Sequence, residues 1–205
     1  MDKSKLTELL QNVKNGKIDV NEAMERLKIL PFEDIGHTTI DFHRELRQGI
    51  PEVVYCESKT TDQVISIMKK LIENHDKVMG SRAPEEMAEK VLAEIPDAKY
   101  DPFSRIITFS KKPQIKPDKS MPFVLIVSAG TSDLPIAEEA AQTLEFMDIR
   151  VERAYDIGVA GIHRLFSISD KLFAADAVIC VAGMEGALTS VVGGVVDCPV
   201  IGVPT

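Results

Sequence analysis

The sequence predicts an α/β protein in which a doubly wound parallel sheet follows a smaller helical and α/β N-terminal part. Two observations carry this prediction. After residue 120, short apolar runs alternate with helix-like stretches, which requires crossover connections and therefore parallel strands. Before residue 110, two short amphipathic segments open the chain, and a less regular mixture of strands and helices follows them.

The C-terminal part, residues 121–205, contains four predicted strands and three predicted helices. The strands are predicted at 123–128, 150–155, 177–181 and 199–203, and the helices at 134–147, about 158–168 and 186–196. Ligands of such sheets bind beyond the carboxyl ends of the strands. A complete doubly wound domain needs more elements than these, so we expect this domain to be incomplete at its C-terminus and the natural protein to continue after Thr205.

The N-terminal part, residues 1–110, is predicted to begin with a helical hairpin. Apolar residues at helical spacing precede Gly16, a residue typical of helix ends. Asp19 then caps a second helix, with Glu22 three residues later.

A small α/β unit is predicted after the hairpin. A short strand ends at Tyr55, helices cover 60–71 and 84–94, and a further strand covers 103–109. Residues 111–120 are polar and contain two prolines, so we interpret them as the linker between the two parts.

The composition excludes several classes of protein. A net charge of −8 disfavours a nucleic-acid-binding protein, which would carry a basic surface. No apolar run approaches the roughly 18 residues of a membrane span, and the first residues do not resemble a signal peptide. The three cysteines are far apart in sequence, and an odd number cannot pair completely, which favours reduced thiols in a cytoplasmic protein.

Three turns of small residues follow predicted strands, over 127–133, 156–164 and 182–187. In the first, backbone N–H groups and the positive end of the next helix converge, so it favours an anion. We predict that Thr131 and Ser132 hold a phosphate and that Asp133 holds a ribose hydroxyl. The alternative is that Ser132 or Asp133 only caps the helix.

The other two turns carry side chains suited to chemistry. Arg164, beside His163, suits bidentate binding of phosphate or carboxylate, and the alternative is a surface salt bridge. Glu185 lies between glycines and is a candidate base or metal ligand, unless it only complements a helix dipole. Arg44, Arg47 and Lys59 are equally compatible with a second anion site and with a solvated face.

The predicted site therefore has two parts. The predicted catalytic residues are Glu185 and His163. The predicted substrate-binding residues are Gly130, Thr131, Ser132, Asp133, Arg164, Ala182, Gly183, Met184, Gly186, Arg44, Arg47 and Lys59.

Several of these stretches resemble known enzymes. The segments 128–133, 159–164, 182–183 and 199–204 resemble the phosphate turn, His-Arg loop, Gly-rich loop and closing strand of PurE-type aminoimidazole ribonucleotide carboxylases, which implies a PurE/flavodoxin-like fold. The extended motifs resemble the LarB family more closely. They read Ala-Gly-Thr-Ser-Asp-Leu-Pro at 129–135, Ala-Gly-Met-Glu-Gly-Ala-Leu at 182–188 and Val-Val-Gly-Gly at 191–194, and the segment 41–60 also resembles LarB.

The LarB resemblance implies carboxylation of the pyridinium ring of nicotinic acid adenine dinucleotide by CO2 or bicarbonate, with cleavage of the phosphoanhydride. It also implies a homo-oligomer, an octamer in the PurE-like fold, and Mg2+ is plausible at the phosphoanhydride. The family's nucleophilic Cys lies after the closing strand, a position that these 205 residues do not include, and neither Cys180 nor Cys198 matches it. If the 205 residues are the whole protein, catalysis is therefore in question.

Two other functions remain open from the sequence. One is a purine-pathway mutase, although the loop after Gly183 lacks that family's His and the N-terminal part has no counterpart there. The other is a nucleotide-binding or assembly module without catalytic activity.

Overall fold

A computed structural model describes residues 3–28, 32–42, 44, 50, 52–112 and 117–205. The chain opens with the predicted hairpin, formed by α1 (Lys3–Lys14) and α2 (Val20–Lys28), which contact each other. Gly16 adopts a φ of 68° between them, and the Glu22 amide donates to Asp19 Oδ1 over 2.8 Å, so both predicted end signals are confirmed. A two-stranded antiparallel ribbon follows, made of β1 (Phe32–Asp34) and β2 (Thr39–Asp41).

The N-terminal sheet is mixed and has four strands in the order β3-β4-β6-β5. Its strands are β3 (Val53–Tyr55), β4 (Lys77–Ser81), β5 (Lys99–Asp101) and β6 (Ile106–Ser110). β3 and β4 are parallel, and the other two pairs are antiparallel.

Two helices, α3 (Thr61–Asn74) and α4 (Glu85–Glu94), bury their apolar residues in the core of this sheet. The predicted capping box is present, because Thr60 and Gln63 exchange both hydrogen bonds. The strand predicted over 103–109 starts only at Ile106, since a turn precedes it in which Arg105 has a φ of 58°.

The C-terminal sheet is parallel throughout and has the order β10-β9-β7-β8. Its strands are β7 (Phe123–Ser128), β8 (Arg150–Ala154), β9 (Ala177–Ala182) and β10 (Val200–Pro204). The predicted doubly wound α/β arrangement is thereby confirmed.

Helices cover both faces of this sheet. α5 (Leu134–Phe146) packs through Ala137 and Ala141 on the face that carries Ile126. The helices α6 (Ile162–Phe166), α7 (Ser169–Ala174) and α8 (Ala187–Gly193) bury their leucines on the opposite face. Alternate residues of β7 thus point into separate apolar layers, as the two-residue period of a strand requires.

One predicted helix is interrupted. The stretch 158–168 forms a 3-10 turn over Val159–Gly161, then α6, and α7 begins only at Ser169. Gly158 precedes the 3-10 turn and Gly161 precedes α6, so neither element has a side-chain capping hydrogen bond at its start. In the described part of the chain, no helix has the length and apolar character that crossing a membrane requires.

The two sheets meet along α5. Phe146 packs with Met79 and Ile106, and Lys77 Nζ contacts Asp148 Oδ2 at 2.5 Å and the Phe146 carbonyl at 3.3 Å. Arg82, at the other end of β4, pairs with Glu139. β4 and α5 therefore run antiparallel, and the carboxyl end of β4 faces the amino-terminal half of α5. The predicted boundary at 111–120 stays a prediction.

Candidate functional site

A pocket of about 690 Å³ opens at the carboxyl ends of the parallel strands. The turns after β7, β8 and β9 contribute most of its wall, as the sequence predicts for a parallel sheet. The residues that line it are Ala129, Gly130, Ser132, Asp133, Asp156, Gly158, Val159, Ala160, Arg164, Ala182, Gly183, Met184, Glu185, Ala187, Leu188 and Thr205.

Asp133 organises the first turn. Asp133 is only 5% exposed, and one of its carboxylate oxygens accepts from the Gly130 amide at 2.9 Å while the other accepts from Thr205 Oγ1 at 2.7 Å. It makes no capping bond to α5. The carboxylate therefore ties the turn to the end of β10, and its contact with a ribose stays a prediction. Ser132 lines the pocket, whereas the exposed Thr131 does not.

The second turn holds Arg164 in the pocket. Arg164 Nη1 lies 2.7 Å from Asp156 Oδ2, and a Cβ at Gly161 would lie 2.7 Å from Arg164 Nε. Asp156 has a φ of 57°, a conformation that Asp and Asn tolerate better than most residues. The missing side chain at Gly161 and the carboxylate of Asp156 together fix the guanidinium where it can bind an anion.

The same loop is fastened to the first turn. The Gly158 amide donates to the Ala129 carbonyl at 2.9 Å, and a Cβ at position 158 would lie 2.7 Å from that oxygen. The Asp156 amide donates to Ser128 Oγ at 3.3 Å. His163 lies outside this contact: it is exposed and does not line the pocket.

The third turn forms an exposed rim. Met184 and Gly186 have φ angles of 57° and 67°, so Glu185 lies between two left-handed residues. Glu185 and Met184 are both exposed and both line the pocket. A Cβ at Gly183 would lie 2.9 Å from Thr205 Oγ1, so the turn approaches the end of β10 closely.

The three predicted basic residues of the N-terminal part do not line this pocket. Lys59 Nζ donates to the Tyr55 carbonyl at 2.9 Å. Arg44 is half-buried and absent from the pocket wall, and Arg47 lies outside the described residues.

The pocket contains no cysteine among its lining residues. Burial raises the pKa of Cys56 to about 11 and that of Cys180 to about 12, and it also raises the pKa of Cys198. These thiols are therefore protonated near neutral pH and none is placed to attack a ligand there. Across the described ranges, no three His, Cys, Asp or Glu side chains converge as a metal site would require.

Asp156 and Thr205 are residues of the pocket wall that the sequence did not predict. Asp156 belongs to the small-residue turn at 156–164, but its pairing with Arg164 depends on how the loop folds back. Thr205 reaches Asp133 across 72 positions of sequence, and no local pattern reports such a contact.

Comparison with known proteins agrees with this geometry. A family model described as the LarB/PurE-like N-terminal domain matches residues 32–112, and the AIR carboxylase model matches residues 123–205. An uncharacterized protein of Methanocaldococcus jannaschii is 40% identical over 210 residues, which cover 98% of this chain and 80% of that relative. The chain belongs to the LarB family. It is thus a protein of the PurE/LarB group of carboxylases, and its strand-end pocket lies within the AIR carboxylase part.

Proposed function

We propose that this chain carboxylates the pyridinium ring of nicotinic acid adenine dinucleotide and cleaves its phosphoanhydride. The carboxyl group comes from CO2 or bicarbonate, and the products are pyridinium-3,5-biscarboxylic acid mononucleotide and AMP. The supporting observation is that a LarB-type N-terminal domain precedes an AIR carboxylase domain whose strand ends enclose a pocket. This reaction is the first step towards the nickel-pincer cofactor of lactate racemase.

The reaction needs a nucleophile because a pyridinium carbon is electron-poor and does not attack CO2. A thiolate that adds to the ring produces a dihydropyridine enamine, which forms the new carbon–carbon bond to CO2. A base then removes the ring proton from the carboxylated carbon, and expulsion of the thiolate restores the aromatic ring. Water cleaves the phosphoanhydride, with AMP as the leaving group.

The lining residues divide these tasks. Glu185 is the carboxylate on the rim that we assign as proton acceptor. Arg164 holds a phosphate or the incoming carboxylate, because Asp156 orients its guanidinium into the pocket. Residues 130–132 are assigned to phosphate through the amides of Thr131 and Ser132 at the start of the following helix, because the Gly130 amide already donates to Asp133. His163 does not line the pocket, so its contact with the substrate requires a part of the substrate that extends beyond the lining residues.

Two partners of the chemistry are not assigned to residues. None of the three cysteines is given the thiol role, because none lines the pocket, so the proposed reaction requires a thiol other than these three. Mg2+ binds substrate phosphates readily with few protein ligands. Since no three acidic or His side chains converge in the described part of the chain, such an ion would be held mainly by the phosphates. No step above depends on it.

We also propose that the chain forms a homo-oligomer, an octamer by resemblance. Ile162, Phe166 and Phe173, on α6 and α7, are exposed apolar side chains that an interface would cover. Sedimentation of the purified protein tests this, and a monomer at micromolar concentration contradicts it.

A second candidate is the carboxylation of aminoimidazole ribonucleotide, which the AIR carboxylase match favours. A nucleotide-binding module without activity is a third. The experiment that separates them supplies isotope-labelled bicarbonate with either nucleotide and identifies the products by mass spectrometry. We expect labelled pyridinium dicarboxylate mononucleotide and AMP. Label only in the imidazole product would replace our proposal by the second candidate, and nucleotide binding without any labelled product would favour the third.

A further inference from the structure

Three side chains collect at one end of the N-terminal sheet, away from the pocket wall. Tyr55 is the last residue of β3, Arg82 follows β4 directly, and Arg105 directly precedes β6. Because β6 is antiparallel to β4, its start lies beside the end of β4. The Ala83 amide donates to the Arg105 carbonyl at 2.8 Å, and Arg105 Nη2 donates to the Arg82 carbonyl at 3.3 Å. Topology therefore brings the two arginines together.

Both arginines have an unfavourable backbone conformation. The φ angles are 53° at Arg82 and 58° at Arg105, in the left-handed region where Gly or Asn would be less strained. Residues held this way are concentrated at ligand sites, where the surrounding structure maintains the strain. The Arg105 guanidinium closes this turn on the Arg82 carbonyl, whereas the Arg82 guanidinium faces carboxylates outside the turn, Glu57 and Glu139.

The ion pairs of this cluster are long. Arg82 Nη1 and Arg105 Nη1 lie 3.7 Å and 3.9 Å from the two oxygens of Glu57, and Arg82 Nε lies 3.4 Å from Glu139 Oε1. A charge-assisted hydrogen bond is nearer to about 2.8 Å. Glu57 instead accepts a 2.5 Å bond from the Tyr55 hydroxyl. Both cations thus face the same carboxylate, at distances longer than a charge-assisted hydrogen bond.

Tyr55 adds an aromatic surface to these charges. Its side chain is about 40% exposed, and the Arg82 guanidinium carbon lies 5.8 Å from the ring centroid. An Arg beside an exposed aromatic ring is the combination on which nucleotide bases stack while phosphates bind the cation.

The cluster lies at the same end of the molecule as the strand-end pocket. Lys77, at the start of β4, contacts Phe146, whereas Arg82, at its end, contacts Glu139. Glu139 lies six positions after Asp133, which corresponds to a rise of about 9 Å along a helix. Two nucleotides joined by a diphosphate are long enough to span a separation of this order.

We propose that Tyr55, Arg82 and Arg105 form a second subsite, which binds the adenosine monophosphate half of a dinucleotide whose pyridinium half occupies the strand-end pocket. The assignment of the two halves rests on the proposed function. The chemical class of the ligand, a phosphate attached to an aromatic base, follows from the cluster itself.

The test titrates the protein with AMP, nicotinic acid mononucleotide and nicotinic acid adenine dinucleotide by calorimetry. The variants are Arg82→Asn and Arg105→Asn, since Asn tolerates the left-handed backbone but carries no charge. Each variant should weaken AMP and the dinucleotide about tenfold, an energy change within the range of one charge-assisted contact. The affinity for nicotinic acid mononucleotide should not change.

Two glutamate variants provide opposite controls. Glu57→Gln removes the carboxylate that competes with phosphate for both arginines, so AMP should bind more tightly. Glu139→Gln breaks the contact with α5 but retains Arg82, so AMP affinity should be kept. A contrary result would be that Arg82→Asn and Glu139→Gln lower the melting temperature equally and leave nucleotide affinity unchanged. Arg82 would then only stabilise the contact with α5, and the subsite would be overturned.

The outcomes also separate this inference from the proposed function. Dinucleotide binding that neither arginine variant weakens removes the subsite and leaves the proposed function intact. AMP binding that depends on both arginines, without any dinucleotide binding, supports the subsite and removes the proposed substrate.

Discussion

The two sheets of this chain differ in the turns that follow their strands. In the C-terminal sheet all four strands are parallel, so three strand-to-helix turns converge at the carboxyl ends of the strands and enclose a pocket. In the N-terminal sheet β3, β4 and β5 also finish at one end of the sheet, and β6 begins there. Only β3 and β4 lead into helices, because β5 turns back directly into β6. The connections after the strands therefore distinguish the two sheets: three strand-to-helix turns meet in the C-terminal sheet and two in the N-terminal sheet.

The largest expected effect is at Glu185, in the pocket at the carboxyl ends of the parallel strands. Glu185→Gln keeps the size of the side chain but removes the proton acceptor, so kcat should fall about a hundredfold or more. Labelled-bicarbonate incorporation measures this, with dinucleotide affinity nearly unchanged.

Glu85→Gln is the matched control, because Glu85 is the first residue of α4 in the other half of the chain. If Glu185 only complements a helix dipole, both variants lose a little stability and neither loses activity.

Substitution of one glycine in each half, Gly158 and Gly80, tests how tightly the two halves are packed. A Cβ at Gly158 would meet the Ala129 carbonyl oxygen at 2.7 Å, whereas a Cβ at Gly80 would meet Cys56 Sγ at 2.9 Å. Gly158→Ala should lower the free energy of unfolding by about 1–3 kcal/mol, since a backbone atom must move.

Gly80→Ala meets a side chain, so the additional change Cys56→Ala should restore much of its lost stability. Urea denaturation measures both effects. A Gly158→Ala protein with unchanged stability and dinucleotide affinity would show that the loop is not fastened to the first turn.

Each half also buries one thiol with a raised pKa, about 11 for Cys56 and about 12 for Cys180. Well below the ordinary thiol pKa of about 8.5, both states of the chain keep these protons. As the pH rises above it, the unfolded chain loses them while the folded chain retains them, so the free energy of unfolding falls, by up to about 1.4 kcal/mol per unit and per thiol.

Chemical denaturation between pH 8 and pH 10.5, a window chosen around the ordinary thiol pKa of about 8.5, measures this slope. Cys180→Ala and Cys56→Ala should each flatten it. An equal slope in the variants would assign the loss of stability to other groups.

The smallest expected effect concerns Asp156, which orients Arg164. Asp156→Asn keeps a residue that tolerates the left-handed backbone and removes the charge, so dinucleotide affinity should fall up to about fivefold, the scale of an exposed ion pair. Asp170→Asn, on α7, is the control and should bind like the wild type. Unchanged affinity in Asp156→Asn would mean that packing against Gly161 alone positions Arg164.

The same contrast explains what could be predicted from sequence. The parallel strands β7 and β9 are buried on both sides and consist of continuous apolar runs, so their positions were predictable almost to the residue. β5 is three residues long and reads Lys-Tyr-Asp, and β4 contains Lys77 and Gly80, so neither has a strand pattern of its own. β4 pairs with both β3 and β6, and β5 pairs with β6, so strand pairing supports these strands where the local pattern does not.

The candidate site shows the same limit. Turns of small residues at strand ends are local features, and the sequence located all three. The contacts of Asp133 with Thr205 and of Asp156 with Arg164 are tertiary, so no local pattern predicts either of them. The contact of Asp133 with a ribose stays a prediction.

A crystal structure of the protein with nicotinic acid adenine dinucleotide tests the assigned site directly. We expect a phosphate within hydrogen-bonding distance of Arg164 and of residues 130–132, with the pyridinium ring beside Glu185. A dinucleotide bound elsewhere, with the strand-end pocket empty, would contradict it.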